Sequence, residues 1–91
     1  MIDTHIAAFR SAQTNVCHDN KYTAAAKQDV FVLAENIIKA LKSENIIEAN
    51  RLIDFGIRYT PKVAMCLVGE TCKVLQVPTR DYLFKTAKVR A

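Results

Sequence analysis

The chain has 91 residues, 51% of them hydrophobic and 24% charged, with a formal charge of +4. That length holds one small domain and excludes a second. Two glycines in the whole chain leave few places where the backbone can turn with positive φ, which argues against hairpin-rich barrels, phosphate cradles and dinucleotide folds and in favour of an all-α class.

Asp3 and Thr4 are suited to cap a first helix over residues 4–16, in which Ile2, Ile6, Phe9 and Val16 recur near helical spacing. CHDNKY, residues 17–22, reads as a loop. Thr23 is a good N-cap for a helix over 23–42, because Ala24, Ala25 and Ala26 favour helix and Val30, Phe31, Leu33, Ala34, Ile37, Ile38 and Leu41 form a wide apolar stripe. Lys39 and Lys42 complement the end of its dipole. Ser43 opens a third helix, 44–55, with Ile46, Ile47, Ala49, Leu52, Ile53 and Phe55 on its inner side. Gly56 is expected to end it in the left-handed conformation. Thr60-Pro61 marks the start of a fourth helix, 61–76, since proline is pre-set for the first helical position and the threonine hydroxyl can cap.

Within that fourth helix VAMCLV, residues 63–68, is apolar all round and must be enclosed or shared between subunits. Val63, Met65, Leu67 and Val68 are therefore the expected contact residues of a homodimer, and Gly69 a possible bend. A domain of this size buries only a little over about 60% of its unfolded surface, which makes a partner subunit useful. Pro78 ends the fourth helix and Thr79 caps a fifth, 80–89. The expected architecture is a compact all-α bundle of four to five helices, spanning residues 1–91 as one domain.

Charge is unevenly placed. Residues 58–91 carry Arg58, Lys62, Lys73, Arg80, Lys85, Lys88 and Arg90 against Glu70 and Asp81, while the acids of residues 1–57 slightly outnumber the bases. A basic end of this kind is suited to phosphate or to an acidic protein. Cys17, Cys66 and Cys72 are an odd count without CxxC spacing, which points away from a disulfide framework and toward a reducing cytoplasm. The opening MIDTHIAAFR lacks the pattern of a signal peptide, and no run approaches the roughly 20 apolar residues that cross a bilayer.

Residues 69–85, GETCKVLQVPTRDYLFK, resemble the helix-turn-helix of small bacterial and phage regulators. Cys72 would be the small residue at the inter-helix contact, Leu75 and Val77 the apolar residues flanking the turn, and Pro78-Thr79 the entry to the second helix. Gln76 stands where that family usually has Gly, and Tyr82 and Leu83 depart from its hydrophobic spacing. The resemblance implies a recognition helix beginning near Thr79, Arg80 and Asp81. Arg80 would read a base, and Lys73, Lys85, Lys88 and Arg90 would reach phosphates. The plainer reading makes 70–89 two packed helices with solvated lysines.

Other chemistry finds little support. Cys66 and Cys72 are six apart and point to different sides of a helix, so they do not pair as metal ligands with Cys17, His18 or His5. No Gly-rich turn offers an oxyanion hole to a Cys/His pair. Glu44, Glu48 and Asp54 read as a solvated face. Tyr22, Tyr59 and Tyr82 stand beside basic residues at helix entries and suit either stacking or simple packing. No cofactor or metal is expected, and no enzyme. The two functional expectations are a nucleic-acid-binding regulator using its basic C-terminal helix pair, and an all-α inhibitor or adaptor that docks on a larger protein.

Overall fold

A computed structural model describes residues 2–77 of the chain, and these form four α-helices. They are α1 (Ile2–His18), α2 (Ala24–Lys42), α3 (Ile46–Tyr59) and α4 (Pro61–Leu75). Each packs on its neighbours in sequence, α4 closes back on α1, and α2 also touches α4, whereas α1 and α3 do not meet. The bundle is therefore four-cornered with a short α2–α4 diagonal. The predicted fifth helix, 80–89, lies outside the described residues.

The core follows from helical spacing. Phe9, Ala12 and Val16 on α1, Val30, Ala34, Ile37, Ile38 and Leu41 on α2, Ala49 and Ile53 on α3, and Leu67, Val68 and Cys72 on α4 are all buried. Full burial of each large side chain among them is worth about 1.5–3 kcal/mol. Three polar side chains, Gln13, Asn50 and Thr71, are enclosed with them. The Thr71 hydroxyl donates to Leu67 O within its own helix (2.8 Å). Gln13 bridges α1 to α2: its Nε2 donates to Phe31 O (3.1 Å) and Glu35 Oε1 (3.0 Å), while its Oε1 accepts from Arg10 (3.2 Å). Arg10 also pairs with Glu35. With both amide hydrogens and the amide oxygen engaged, Gln13 is buried at little cost.

Local signals set most helix ends, with five corrections. α1 runs from Ile2 to His18, so Asp3 and Thr4 lie inside its first turn rather than before it, and Cys17 and His18 belong to the helix rather than to the loop. Thr23 caps α2 as expected, its hydroxyl accepting from Ala26 N (3.1 Å). Ser43 instead closes α2, and Asn45 caps α3 by accepting from Glu48 N (3.0 Å). Between them Glu44 takes positive φ (58°), so that Glu44 N reaches Leu41 O and Asn45 N reaches Ala40 O, the paired bonds of a Schellman ending. Gly56 does not end α3, which runs on to Tyr59; a side chain there would come within 3.1 Å of Ala64 Cβ, so its lack of one lets α3 approach α4. Pro61 does open α4, but the Thr60 hydroxyl makes no cap and donates back to Gly56 O (3.2 Å). Gly69 does not interrupt α4, which runs through it to Leu75.

Candidate functional site

The C-terminal site expected from charge is described only at its start. Lys73 lies on α4 with its Nζ 3.3 Å from Glu70 Oε1, one turn back on an exposed face. Thr79, Arg80, Lys85, Lys88 and Arg90 lie outside the described residues. α4 ends at Gln76, which takes the left-handed conformation (φ 59°, ψ 44°), with Gln76 N bonded to Lys73 O and Val77 N to Cys72 O. Gln76 thereby adopts the geometry for which glycine is ordinarily chosen.

The four residues expected at a dimer contact separate. Leu67 and Val68 are buried in the chain's own core, Val63 is half-buried, and Met65 is exposed. Within the apolar run of α4, Leu67 and Val68 are covered by the chain itself, where α1, α2 and α3 all pack on α4, whereas Met65 stays outside that packing.

A different surface gathers exposed apolar groups. Val32 on α2 is 47% exposed, Phe55 on α3 57%, and Tyr59 64%, with the rings of Phe55 and Tyr59 in contact, their centroids 4.6 Å apart and their planes tilted by 40°. Val32 and Phe55 face a shallow groove of about 350 Å³ lined also by Leu33, Leu52, Gly56 and Val63, with Asp29, Asn36 and Thr60 at its polar rim. Gly56 forms part of its floor, so the close approach of α3 to α4 shapes the groove. The sequence carried a signal for it. Val30, Phe31, Val32 and Leu33 are four consecutive apolar residues, and a helix 100° per residue wide cannot turn all four inward. Val30 goes to the core while Phe31 and Val32 are left outside.

Electrostatics elsewhere is local. Gln13 and Arg10 hold the Glu35 carboxyl below the usual carboxylate range, and Arg51 does the same for Glu48 through two bonds of 2.6 and 2.9 Å. Glu48 is therefore spoken for by Arg51 rather than joined with Glu44 and Asp54 in an acid cluster. The Tyr22 hydroxyl is pushed up to about 12 by its hydrogen bond with Cys66, by burial, and by nearby Glu70 and Asp19. Lys21 stands over the Tyr22 ring at 5.5 Å. Tyr22 thus packs between the α1–α2 loop and α4, and Tyr59 lays its ring against Phe55.

Among the described residues no group of three or more His, Cys, Asp or Glu is placed to hold a metal ion, and Cys17, Cys66 and Cys72 form no disulfide. No helix among them is long and apolar enough to cross a membrane. Compared with protein-family models, with curated proteins and with solved structures, the chain matches none.

Proposed function

We propose that this chain is a non-enzymatic protein-binding module, an inhibitor or adaptor that docks on a larger protein through the α2–α3 face. The observation that carries this is the apolar groove with Val32, Phe55 and the Tyr59 ring that Phe55 touches all exposed at this face. Leaving two aromatic rings and a valine in water forgoes burial energy that a partner surface would recover. Aromatic side chains beside a pre-formed groove are also the residue type that dominates interface energetics.

The test is site-specific photocrosslinking. A photoreactive phenylalanine analogue at position 55 should give a discrete crosslinked protein adduct that survives nuclease treatment, whereas the same analogue at Ser11, on the exposed side of α1, should give none. Equal crosslinking from both positions, or an adduct that nuclease abolishes, would overturn the reading.

A second reading, nucleic-acid binding, draws on the charge of residues 78–91, where Arg80, Lys85, Lys88 and Arg90 stand against Asp81 alone. Lys73 and the left-handed cap at Gln76 lead the chain into that segment. It predicts duplex binding that weakens steeply with salt and a flatter salt dependence in Lys85→Ala/Lys88→Ala. A duplex titration at low salt without binding would remove it. Self-association through α4 would draw on Met65, the exposed residue among the four first assigned to a dimer contact.

A further inference from the structure

The groove does not stop at Asn36 and Leu52. Both residues also line a second depression that continues past Lys39 and Glu48 to Ser43 and Asn45 at the α2–α3 turn. Reading along the lining, α2 is descended from Ser43 to Asp29 while α3 is ascended from Asn45 to Gly56. The two helices therefore run antiparallel, and the depressions form one furrow between them. From Asp29 to Ser43 the furrow is about 21 Å long at the helical rise per residue, the length of a helix of about four turns.

Its chemistry changes from end to end. The half nearest Val63 is apolar, and its rim carboxylate Asp29 enters no ion pair among the described residues. About three turns further along α2 stands Lys39, which likewise enters no ion pair there and lies close enough to Glu35 to help lower its carboxyl. The remaining charged group of that half, Glu48, is occupied by Arg51. The furrow thus offers a partner one negative and one positive charge at a fixed separation, with apolar sockets beside the negative one.

Resting on the protein-docking reading above, we infer that the occupant is an amphipathic helix of a partner protein with a basic residue opposite Asp29 and an acidic residue opposite Lys39. Residues three, seven and eleven positions apart return to one helix face. The partner's cation and anion are thus separated by about three turns, with apolar anchors on the same face between them. The anchors enter the sockets formed by Val32, Leu33, Leu52 and Phe55. The two charge pairs set register along the furrow more than they add affinity, because both are at the rim and screened by water.

The experiment uses two side-chain-stapled, Ala-rich 16-residue peptides of identical composition. In the first, a lysine is followed by leucines three and seven residues on and a glutamate eleven residues on. In the second, the glutamate is moved two positions back, onto the opposite face. Titrated into the isotope-labelled chain, the first should shift the resonances of Val32, Leu33, Leu52 and Val63 and bind about three- to fivefold more tightly than the second, the range a rim charge pair supplies. Lys39→Glu should erase or invert that preference, and Phe55→Ala should weaken both peptides. Equal affinity at the furrow, unaffected by Lys39→Glu, would overturn the charge register while leaving the docking face in place. Absence of any furrow shift with either peptide would overturn the helix as occupant, and the crosslink from position 55 then judges the docking reading separately.

Discussion

The α1–α4 side of the bundle and its α2–α3 side are built from similar amounts of apolar sequence, yet the first is largely closed, with Met65 and Val74 its exposed large apolar side chains, and the second open, with Phe31, Val32, Ile47, Phe55 and Tyr59 exposed. On α1, Phe9, Ala12 and Val16 meet α4, and Leu67, Val68 and Cys72 are buried among them. On α2 and α3, Val32, Phe55 and Tyr59 stay in water above a groove floored by Gly56. The difference teaches that the bundle spends its apolar residues unequally: α4 turns Leu67, Val68 and Cys72 inward and leaves Met65 and Val74 outside, nine positions apart, whereas on α2 and α3 the exposed apolar groups gather beside one groove.

The largest expected effect is on the closed side. Phe9→Ala empties a fully buried site and should cost about 3–5 kcal/mol in chemical denaturation, a large part of the total stability of a domain this small. A loss below about 1 kcal/mol would mean that the α1 seam is loosely packed and the contrast false.

Next come the two glycines, which sharpen the comparison because both lie inside helices. At Gly56 an added methyl meets Ala64 Cβ at 3.1 Å and Leu33 at 3.3 Å. Ala64 Cβ is fixed to its backbone and cannot swing aside, so Gly56→Ala should destabilise by about 1–3 kcal/mol despite the better helix propensity. At Gly69 nothing lies within 4 Å. Gly69→Ala should therefore stabilise by about 0.5–1 kcal/mol. Opposite signs in thermal or denaturant unfolding are the outcome to check.

Smaller gains are expected at the two left-handed positions, Glu44 and Gln76. Glu44→Gly and Gln76→Gly each relieve a side chain at positive φ and should add about 0.5 kcal/mol, since relief of the left-handed strain is partly offset by glycine's freedom in the unfolded chain. A loss at Gln76 would show that its side chain has a role beyond the cap.

The α1–α2 seam has a pH dependence of defined sign. The Glu35 carboxyl is held below its ordinary value by Gln13 and Arg10, so it contributes stability above the unfolded carboxylate range. That contribution is lost as the pH falls through its folded value. Glu35→Gln should consequently unfold with a shallower dependence on pH below about 4.5 than the parent chain, the ordinary carboxylate value marking the top of the window. Identical profiles would mean that the bridge carries no net stability.

Helix positions were legible where one residue decides them. The Thr23 cap, the Pro61 start and the 3.6-residue recurrence of Val30, Ala34, Ile37 and Leu41 each place an element without knowledge of its neighbours. Gly56 was not legible in this sense, because glycine after an apolar run signals a helix end and a close helix crossing alike, and only the approach of Ala64 decides between them. Glu44 carries no such sign, because nothing in its residue type announces positive φ, whereas Gln76 stands where the helix-turn-helix pattern usually has Gly. The groove was missed for a related reason. Periodicity identifies a stripe as apolar but does not say which edge of a wide stripe the other helices will cover, and Ile47 and Phe55, both expected on the inner side of α3, are exposed for that reason. Net charge drew the expected site toward the C-terminal segment, whose cations beyond Lys73 lie outside the described residues.

The central claim is that Phe55 belongs to a docking face and not to the fold. Its most direct test pairs two measurements on Phe55→Ser: the unfolding free energy, and the yield of adduct crosslinked from a photoreactive residue at position 32. The account predicts stability within about 0.5 kcal/mol of the parent, as for other exposed positions, together with loss of most of the adduct. A stability loss above about 2 kcal/mol with the adduct retained would make Phe55 a packing residue and contradict it.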